Sequence, residues 1–358
     1  MQIFRHAEQG SIKLLWIIGT NPAVSLPELH RIRSILEQER LLVVVQDAFL
    51  TETARLADVV LPTAMWGEKT GTYTNADRTV HLSERAVDPP GQARTDLEVF
   101  LDYARRMGFT DNDGAPLVKW TDPESAFEAW KACSKGRPCD YSGLSYQRLR
   151  GGSGIQWPCT AEAPDGTERL YVDGRFWSDP EVCEEYGHDL LTGAANTATD
   201  YRALDPHGRA ILKAAHYQPP HEEPDQEFPL LLTTGRTVYH FHTRTKTGRA
   251  PELAAAAPDV WVELSEPDAA ALGVADGDLV RVESARGHLD ARARVTAVRP
   301  GVVFAPFHYG YWDQPGGDRP DGRARAANEL TITEWDPVSK QPLYKVAAVR
   351  VTKLDGEG

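Results

Sequence analysis

Basic charge is scarce in this chain: 39 lysines and arginines face 52 aspartates and glutamates, a net charge of −13. That balance excludes nucleic acid as an expected partner, because a phosphate backbone wants a basic face. Long apolar runs are also missing. None approaches the roughly 18 residues that a membrane helix needs, so no membrane partner is expected. The opening MQIFRHAEQGSIKLLWIIG has neither a signal-peptide nor a transit-peptide layout and enters a strand-like run almost at once. Cysteines are few: Cys133, Cys139, Cys159 and Cys183, at separations of 6, 20 and 24. None forms the close C-x2-C pair of zinc and iron–sulfur sites, so free thiols in a reducing compartment are the reading and a metal cluster built from these four alone is not expected. There is no G-x-G-x-x-G or Walker sequence to support ordinary nicotinamide or ATP binding, and no nucleophile elbow. Internal repeats and low-complexity segments are absent.

Residues 1–110 alternate strand and helix. IKLLWIIG reads as an apolar strand ending at Gly19, LPELHRIRSILEQE has helical spacing at Leu29, Ile32 and Leu36, and LLVVVQD is a run of the kind buried in a parallel sheet. A short helix capped by Thr51, the strand DVVLP and the amphipathic helix DLEVFLDYARRMGF follow. This order predicts a doubly wound α/β sheet with right-handed crossovers. Residues 111–225 are rich in proline, glycine and tryptophan and show no long periodic element; they are too long for one loop and are expected to wrap other domains. From 226 to 358, FPLLLTTG, DVWVELS, DLVRVES, HLDARARVTAV and GVVFAPFH are strand candidates. One helix lies among them, from N-cap Ser265 through early Pro267 to the stop at Gly273. A closed β-barrel is the expected result.

Ligands of doubly wound sheets bind beyond the carboxyl ends of the strands. Gly19-Thr20-Asn21-Pro22, Gln46-Asp47 and the run from Trp66 to Gly71 stand at or near such ends. Glycine lets backbone approach a phosphate, and an aspartate there accepts from a ribose hydroxyl or a guanine N–H edge. The sharper anomaly is TTGRTVYHFHTRTKTGR, residues 233–249. No acidic residue occurs between Glu227 and Glu252, whereas Arg236, Arg244, Lys246 and Arg249 are cationic. With six threonines among them and Gly235 and Gly248 for close approach, the segment suits a pyrophosphate, to which charge-assisted bonds are strong. His240 and His242 share a strand face, yet no nearby carboxylate completes a zinc site, so no metal ligand is assigned; hydrogen bonding to a ligand or packing in a wall fits them better. On composition alone Asn328 and Lys345 read as surface polar residues.

These motifs resemble a known family. GTNPAVSLPE, QDAFLTETARLADVVLPTAMWGEKTGTYTNADR and PPGQARTDLEVF resemble the second half of the dimethyl sulfoxide reductase family of molybdenum and tungsten enzymes. LTTGRTVYHFHTRTKTGR and the closing NELT…DPVSKQPLYKVAAVRV resemble its C-terminal dinucleotide-binding barrel. The likeness covers nearly the whole chain, in the family's order.

The resemblance implies a bis form of molybdopterin guanine dinucleotide around one molybdenum or tungsten. It implies that Asn21, Gln46 and Asp47 contact one guanosine part, with Lys69 and Asp96 nearby. Thr234, Gly235, Arg236, Thr237, Val238, Tyr239, His240, Phe241, His242 and Thr243 would line pterin and pyrophosphate. Phe307, Asn328 and Lys345 would complete the share of a double-psi-like barrel. The family's iron–sulfur domain and its metal-ligating residue have no counterpart here, so no catalytic residue is assigned and the chain alone is expected to be inactive. Its expected partners are the missing N-terminal half, a small anionic substrate and an electron-transfer partner. HFHTRTKTGR most resembles cytoplasmic assimilatory nitrate reductases, whereas GIQWPC and the closing residues equally resemble formate dehydrogenases. Nitrate, reduced by two electrons, is the favoured substrate, because an anion approaches a cationic funnel; formate is an anion too, and a non-catalytic module holding the dinucleotide is the third reading. The cytoplasm is the expected compartment, although a twin-arginine signal would sit on the missing N-terminus.

Overall fold

The computed structural model describes residues 1–172, 174, 217–314, 325–336 and 341–354. Cys183, with the rest of 175–216 in the connecting region, and residues 337–340 of the closing motif lie outside them. The chain divides into two compact units, Met1–Leu61 with Tyr217–Gly358, and Pro62–His216.

In the first unit the chain opens with a helix, α1 (Gln2–Glu8), where the sequence suggests early entry into a strand. Ala7 of this helix packs under the sheet with Met1 and Phe4, and the strand-like run of the sequence begins only after it. Strand β1 (Leu14–Ile18) then pairs in parallel with β2 (Leu42–Asp47), from Leu14 against Leu42 to Ile18 against Gln46. Helices α2 (Pro22–Ser25) and α3 (Leu29–Leu36) lie between them in sequence, and α4 (Glu52–Arg55) leads to β3 (Val59–Pro62), which completes the order β1-β2-β3. Thr51 caps α4, its hydroxyl accepting from the Ala54 amide at 3.2 Å.

Period-two alternation sorts the strand side chains. Ile17, Val43 and Val45 are buried against Ile32, Ile35 and Ala54. The opposite face carries Leu14, Ile18 and Leu42 at 43, 40 and 43% exposure. A doubly wound sheet has helices on both faces; within the described residues one face of this sheet is covered, and the other is buried at Val44 and Gln46 but exposed at Leu14, Ile18 and Leu42.

The C-terminal segment builds the barrel: β7 (Leu230–Gly235), β8 (Trp261–Ser265), β9 (Leu279–Glu283), β10 (His288–Thr296), β11 (Val302–Pro306) and β12 (Ala347–Lys353), closed in the order β10-β8-β11-β7-β12-β9. Pairs β7–β11 and β8–β10 are parallel; the other pairs are antiparallel. The strand absent from the sequence-based candidates is β12, which ties β7 to β9 and so closes the ring. Inward Leu232, Val262, Leu264, Val280, Val282, Leu289, Val303 and Val349 fill it. The expected helix forms as Glu266–Leu272, capped by Ser265 and stopped by Gly273 in the left-handed region at φ 65°.

Three polar ties fasten the N-terminal segment to the barrel segment. Arg33 makes a two-toothed pair with Glu329 at 2.6 and 3.2 Å, and the Tyr311 hydroxyl donates to the same carboxylate at 2.8 Å. Asn328 Nδ2 donates to the Val24 carbonyl at 2.9 Å. The buried Glu52 carboxylate accepts from Asn21 Nδ2 at 2.8 Å and from the Tyr311 and Trp312 amides at 2.5 and 2.9 Å. Gly310 permits this last approach, since a Cβ there would stand 2.1 Å from Glu52 Oε1.

The second unit holds a sheet in which β5 (Thr79–Ser83) pairs antiparallel with β4 (Gly71–Thr74) and β6 (Ile155–Gln156). It also holds α5 (Asp96–Met107), with a Thr95–Glu98 capping box and Gly108 at its end, and α6 (Pro123–Ser134). Helix α6 lies in the region that shows no long periodic element on inspection. Asp122 caps it, Pro123 occupies its first turn, and Phe127 packs into Tyr141 and Tyr146. Surrounding prolines and glycines mask this start signal.

Glu52→Ala strands three buried donors, each costing about 1–3 kcal/mol when left unpaired. It is expected to destabilise the protein by about 3 kcal/mol or more. Gly310→Ala, which forces the same carboxylate away, is expected to act in the same direction. Urea unfolding of both variants against wild type measures this; a loss below 1 kcal/mol in both would remove the tie from the account.

Candidate functional site

Strand β7 ends at Gly235, packed so closely on Phe304 that a Cβ would fall 2.5 Å from its ring. Beyond it the chain forms the threonine-rich loop. Val238, Tyr239 and Phe241 point outward, Val238 at 89% and Phe241 at 62% exposure. His240 turns inward at 6% exposure. Its Nε2–H donates to the Ala257 carbonyl at 2.7 Å and its Nδ1 meets the Thr247 hydroxyl at 3.0 Å, with the Tyr309 ring packed edge-on. Burial holds the His240 pKa below its ordinary value and keeps the ring neutral at neutral pH. His240 is therefore wall, held by its own fold. His242 and Arg244 both have left-handed backbone, at φ 44° and 63°. Two such non-glycine residues in one loop store strain that surrounding bonds must hold.

Those bonds come from His308, a residue that sequence reasoning passed over. It sits just past β11, whose Pro306 pairs with Gly235. Its Nε2 accepts the Thr237 amide at 2.8 Å, and its Nδ1–H donates to the His242 carbonyl at 2.7 Å. Its place as the first polar residue after the apolar run GVVFAPF is the signal the sequence offers for it. Thr237 Oγ1 is buried with no hydrogen-bond partner among the described residues.

Cations gather beside this loop. The Arg236 guanidinium lies over the Phe307 ring at 5.4 Å, and Lys345 Nζ donates to the Thr234 carbonyl. Burial, with Arg236 adding repulsion, pushes the Lys345 pKa down. Among the described residues neither cation has a carboxylate partner. Arg244, by contrast, is paired to Asp313 at 2.8 Å and buried.

The strand-end residues of the first unit meet this loop. Asn21 Nδ2 also reaches the Thr243 hydroxyl at 3.3 Å, while Asn21 Oδ1 accepts from the Thr53 amide and hydroxyl at 3.2 and 2.7 Å. Gln46 is fully buried; its carbonyl accepts the Gly19 amide at 2.9 Å. Asp47 Oδ1 accepts the Phe49 amide at 3.1 Å. Asn21 and Asn328 are buried and held by the protein itself. In the second unit Lys69 is paired with Asp96, and both line a cleft of about 420 Å³ with Thr70, Tyr73, Thr95 and Trp130. No three histidine, cysteine, aspartate or glutamate side chains converge on a common metal position among the described residues.

Parallel strand ends meeting a closed barrel, with unneutralised cations between exposed aromatic and apolar side chains, define the class of proteins that hold a nucleotide cofactor by its phosphates. Comparison with known proteins gives the particular case. The molybdopterin oxidoreductase family description matches residues 1–106 and the molydopterin dinucleotide binding domain matches residues 230–348. The chain belongs to this molybdopterin oxidoreductase family. A nitrate reductase of Symbiobacterium thermophilum is 39% identical over 99% of this chain and 43% of its own length. The F420-dependent formate dehydrogenase subunit alpha of Methanocaldococcus jannaschii is 36% identical over 96% of this chain and 44% of its own length. Acetylene hydratase from Pelobacter acetylenicus shares the fold, with a TM-score of 0.68 at 20% identity, over 98% of this chain and 46% of that one. The chain thus spans under half the length of the relatives it matches.

Lys345→Met removes a charge that burial and Arg236 both disfavour. The ligand-free variant is expected to melt no lower than wild type, while affinity for a guanine dinucleotide or pyrophosphate falls about tenfold, or 1.4 kcal/mol. Thermal melts and calorimetric titration check the two halves; unchanged affinity removes Lys345 from the site.

Proposed function

We propose that this chain is the cofactor-binding portion of a bis-molybdopterin guanine dinucleotide oxidoreductase that reduces nitrate to nitrite with two electrons and two protons. The observation that carries the reading is Arg236 and Lys345 brought together beside the 236–243 loop with no carboxylate partner among the described residues. An anion beside both cations would relieve that repulsion and gain charge-assisted bonds. The buried, unpartnered Thr237 hydroxyl and the outward Val238, Tyr239 and Phe241 fit the rest of such a group, a donor for phosphate and flat apolar surface for a ring system. The residues present therefore suit a pyrophosphate-linked pterin. When bound, that cofactor supplies two-electron oxygen-atom transfer at its metal, molybdenum or tungsten.

In this reading Asp47 and Gln46 lie at the guanosine part, Lys69 and Asp96 serve a nucleotide in their own cleft, and Phe307 backs Arg236. The domain boundaries follow the sequence as 1–110, 111–225 and 226–358. Two parallel pairs interleaved with antiparallel ones support a double-psi form for the barrel. The remaining length of such an enzyme supplies the iron–sulfur cluster and the metal-ligating side chain, and covers the exposed Leu14, Ile18 and Leu42 of the β1-β2-β3 sheet. A separate electron-transfer partner delivers electrons through that cluster. Likeness to assimilatory forms points to the cytoplasm; a relative from Desulfovibrio desulfuricans, 36% identical, is named as periplasmic. No helix among the described residues is long and apolar enough to cross a membrane.

Formate oxidation is the second reading, favoured by formate dehydrogenase relatives at 34–36% identity. Assay of the complete enzyme with nitrate and a reduced dye, and with formate and an oxidised dye, separates the two. Nitrate turnover is expected; formate turnover alone would replace it. In the same complete enzyme Asp47→Ala is expected to reduce molybdenum and pterin content per protein several-fold. Unchanged occupancy by elemental analysis would count against the guanosine role.

A further inference from the structure

We propose that His308, as a neutral Nδ1–H imidazole, is a positioning residue that clamps residues 237–242 in the shape that receives the dinucleotide, and that acid releases the clamp and with it the cofactor. The inference rests on the proposed dinucleotide role of the loop. One ring fastens both ends of the turn: Nε2 takes the Thr237 amide at 2.8 Å and Nδ1–H gives to the His242 carbonyl at 2.7 Å. Between those points lie the outward Val238, Tyr239 and Phe241, and beside them the unpartnered Thr237 hydroxyl. The left-handed backbone at His242 and Arg244 gives the loop reason to relax once a fastening is lost.

The two bonds demand opposite roles of the ring nitrogens, so they define a single tautomer. An imidazolium has no acceptor; protonation sets Nε2–H against the Thr237 amide and opens that end. Among the described residues the titratable and charged groups facing the ring are Arg236, His240 and His242, none of them a carboxylate, and the His240 ring centre lies 6.1 Å away. Burial first, then these neighbours, hold the His308 pKa below the ordinary histidine value. Because the folded pKa lies below the unfolded one, the clamp's contribution is whole above about pH 6.5 and is lost as pH falls through the lower folded value. This sign distinguishes the clamp from charge attraction. Acid leaves Arg236 cationic and only adds protons to Lys345, so phosphate attraction by itself strengthens or stays level on acidification.

The test uses the cofactor-loaded enzyme and His308→Gln, whose amide offers an acceptor and a donor but does not titrate, alongside His308→Phe, which offers neither. The rate of pterin release, read by fluorescence of the oxidised product, is followed from pH 8 to pH 5. Wild type is expected to release about tenfold faster per pH unit across the transition. His308→Gln should be flat across this range, and His308→Phe should release at every pH. A His308→Gln profile that matches wild type overturns the proposal. Imidazole nitrogen shifts of the ligand-free chain give a second readout without cofactor. The Nδ1–H tautomer, with the Thr237 amide losing its bond on acidification, supports the clamp; the other tautomer or an unresponsive amide overturns it. Protein that never carries pterin defeats the dinucleotide reading and leaves the nitrogen shifts to decide the clamp.

Discussion

The carboxylate of Glu52 is out of reach of water, and it accepts from Asn21 Nδ2 and from the Tyr311 and Trp312 amides. A buried carboxylate is tolerable only when its oxygens are met by donors. Here the donors come from a strand-end loop near residue 20 and a barrel segment almost 300 residues later in the chain. Meeting them requires the 310s segment to approach to within a hydrogen bond, which glycine at 310 allows. Once that approach is made, Asn21 reaches Thr243, Arg33 reaches Glu329, and Asn328 reaches Val24. The site follows from this docking. Its floor is a set of polar side chains whose bonds are already made, and its working face is the cations and apolar residues left over.

That division explains which family-like residues touch what. Asn21, Asn328 and His240 sit in motifs suggestive of ligand contact, yet each is buried and bonded to protein. They determine the shape of the loops that carry Arg236, Thr237 and Lys345. A cofactor whose binding uses both phosphates and rings needs walls that do not move when it arrives, because preorganised donors avoid an ordering cost at binding. Burial holds the pKa of both His240 and His308 below the ordinary histidine value, which in the proposed reading keeps them as neutral parts of such a wall.

Much of this was legible in the primary structure. Thr51 and Ser265 as caps, Gly273 as a stop and the parallel pairing of LLWII with LVVVQD all follow from local chemistry and period. So did the acid-free stretch from 228 to 251, a property of composition that no folding step can change. Helix α1 and helix α6 were not read, because seven residues carry too few turns for periodicity to speak and the start signal of α6 is masked by surrounding prolines and glycines. The sixth barrel strand was passed over although Val349-Arg350-Val351-Thr352 carries strand alternation; its role in closing the ring comes only from pairing with β7 and β9.

By itself the sequence determined the alternating α/β segment, the strand-rich C-terminal part, and an anion-seeking loop in an otherwise acidic chain. These depend on neighbours within a few residues, which is the range over which caps, periods and charge runs act. Tertiary structure alone decided that His308 fastens Thr237 to His242, that Lys345 comes beside Arg236, and that Glu52 needs Gly310. Each of these joins groups between 65 and more than 250 positions apart, and a hydrogen bond or a close approach is specified by distance in space, to which separation along the chain gives no measure.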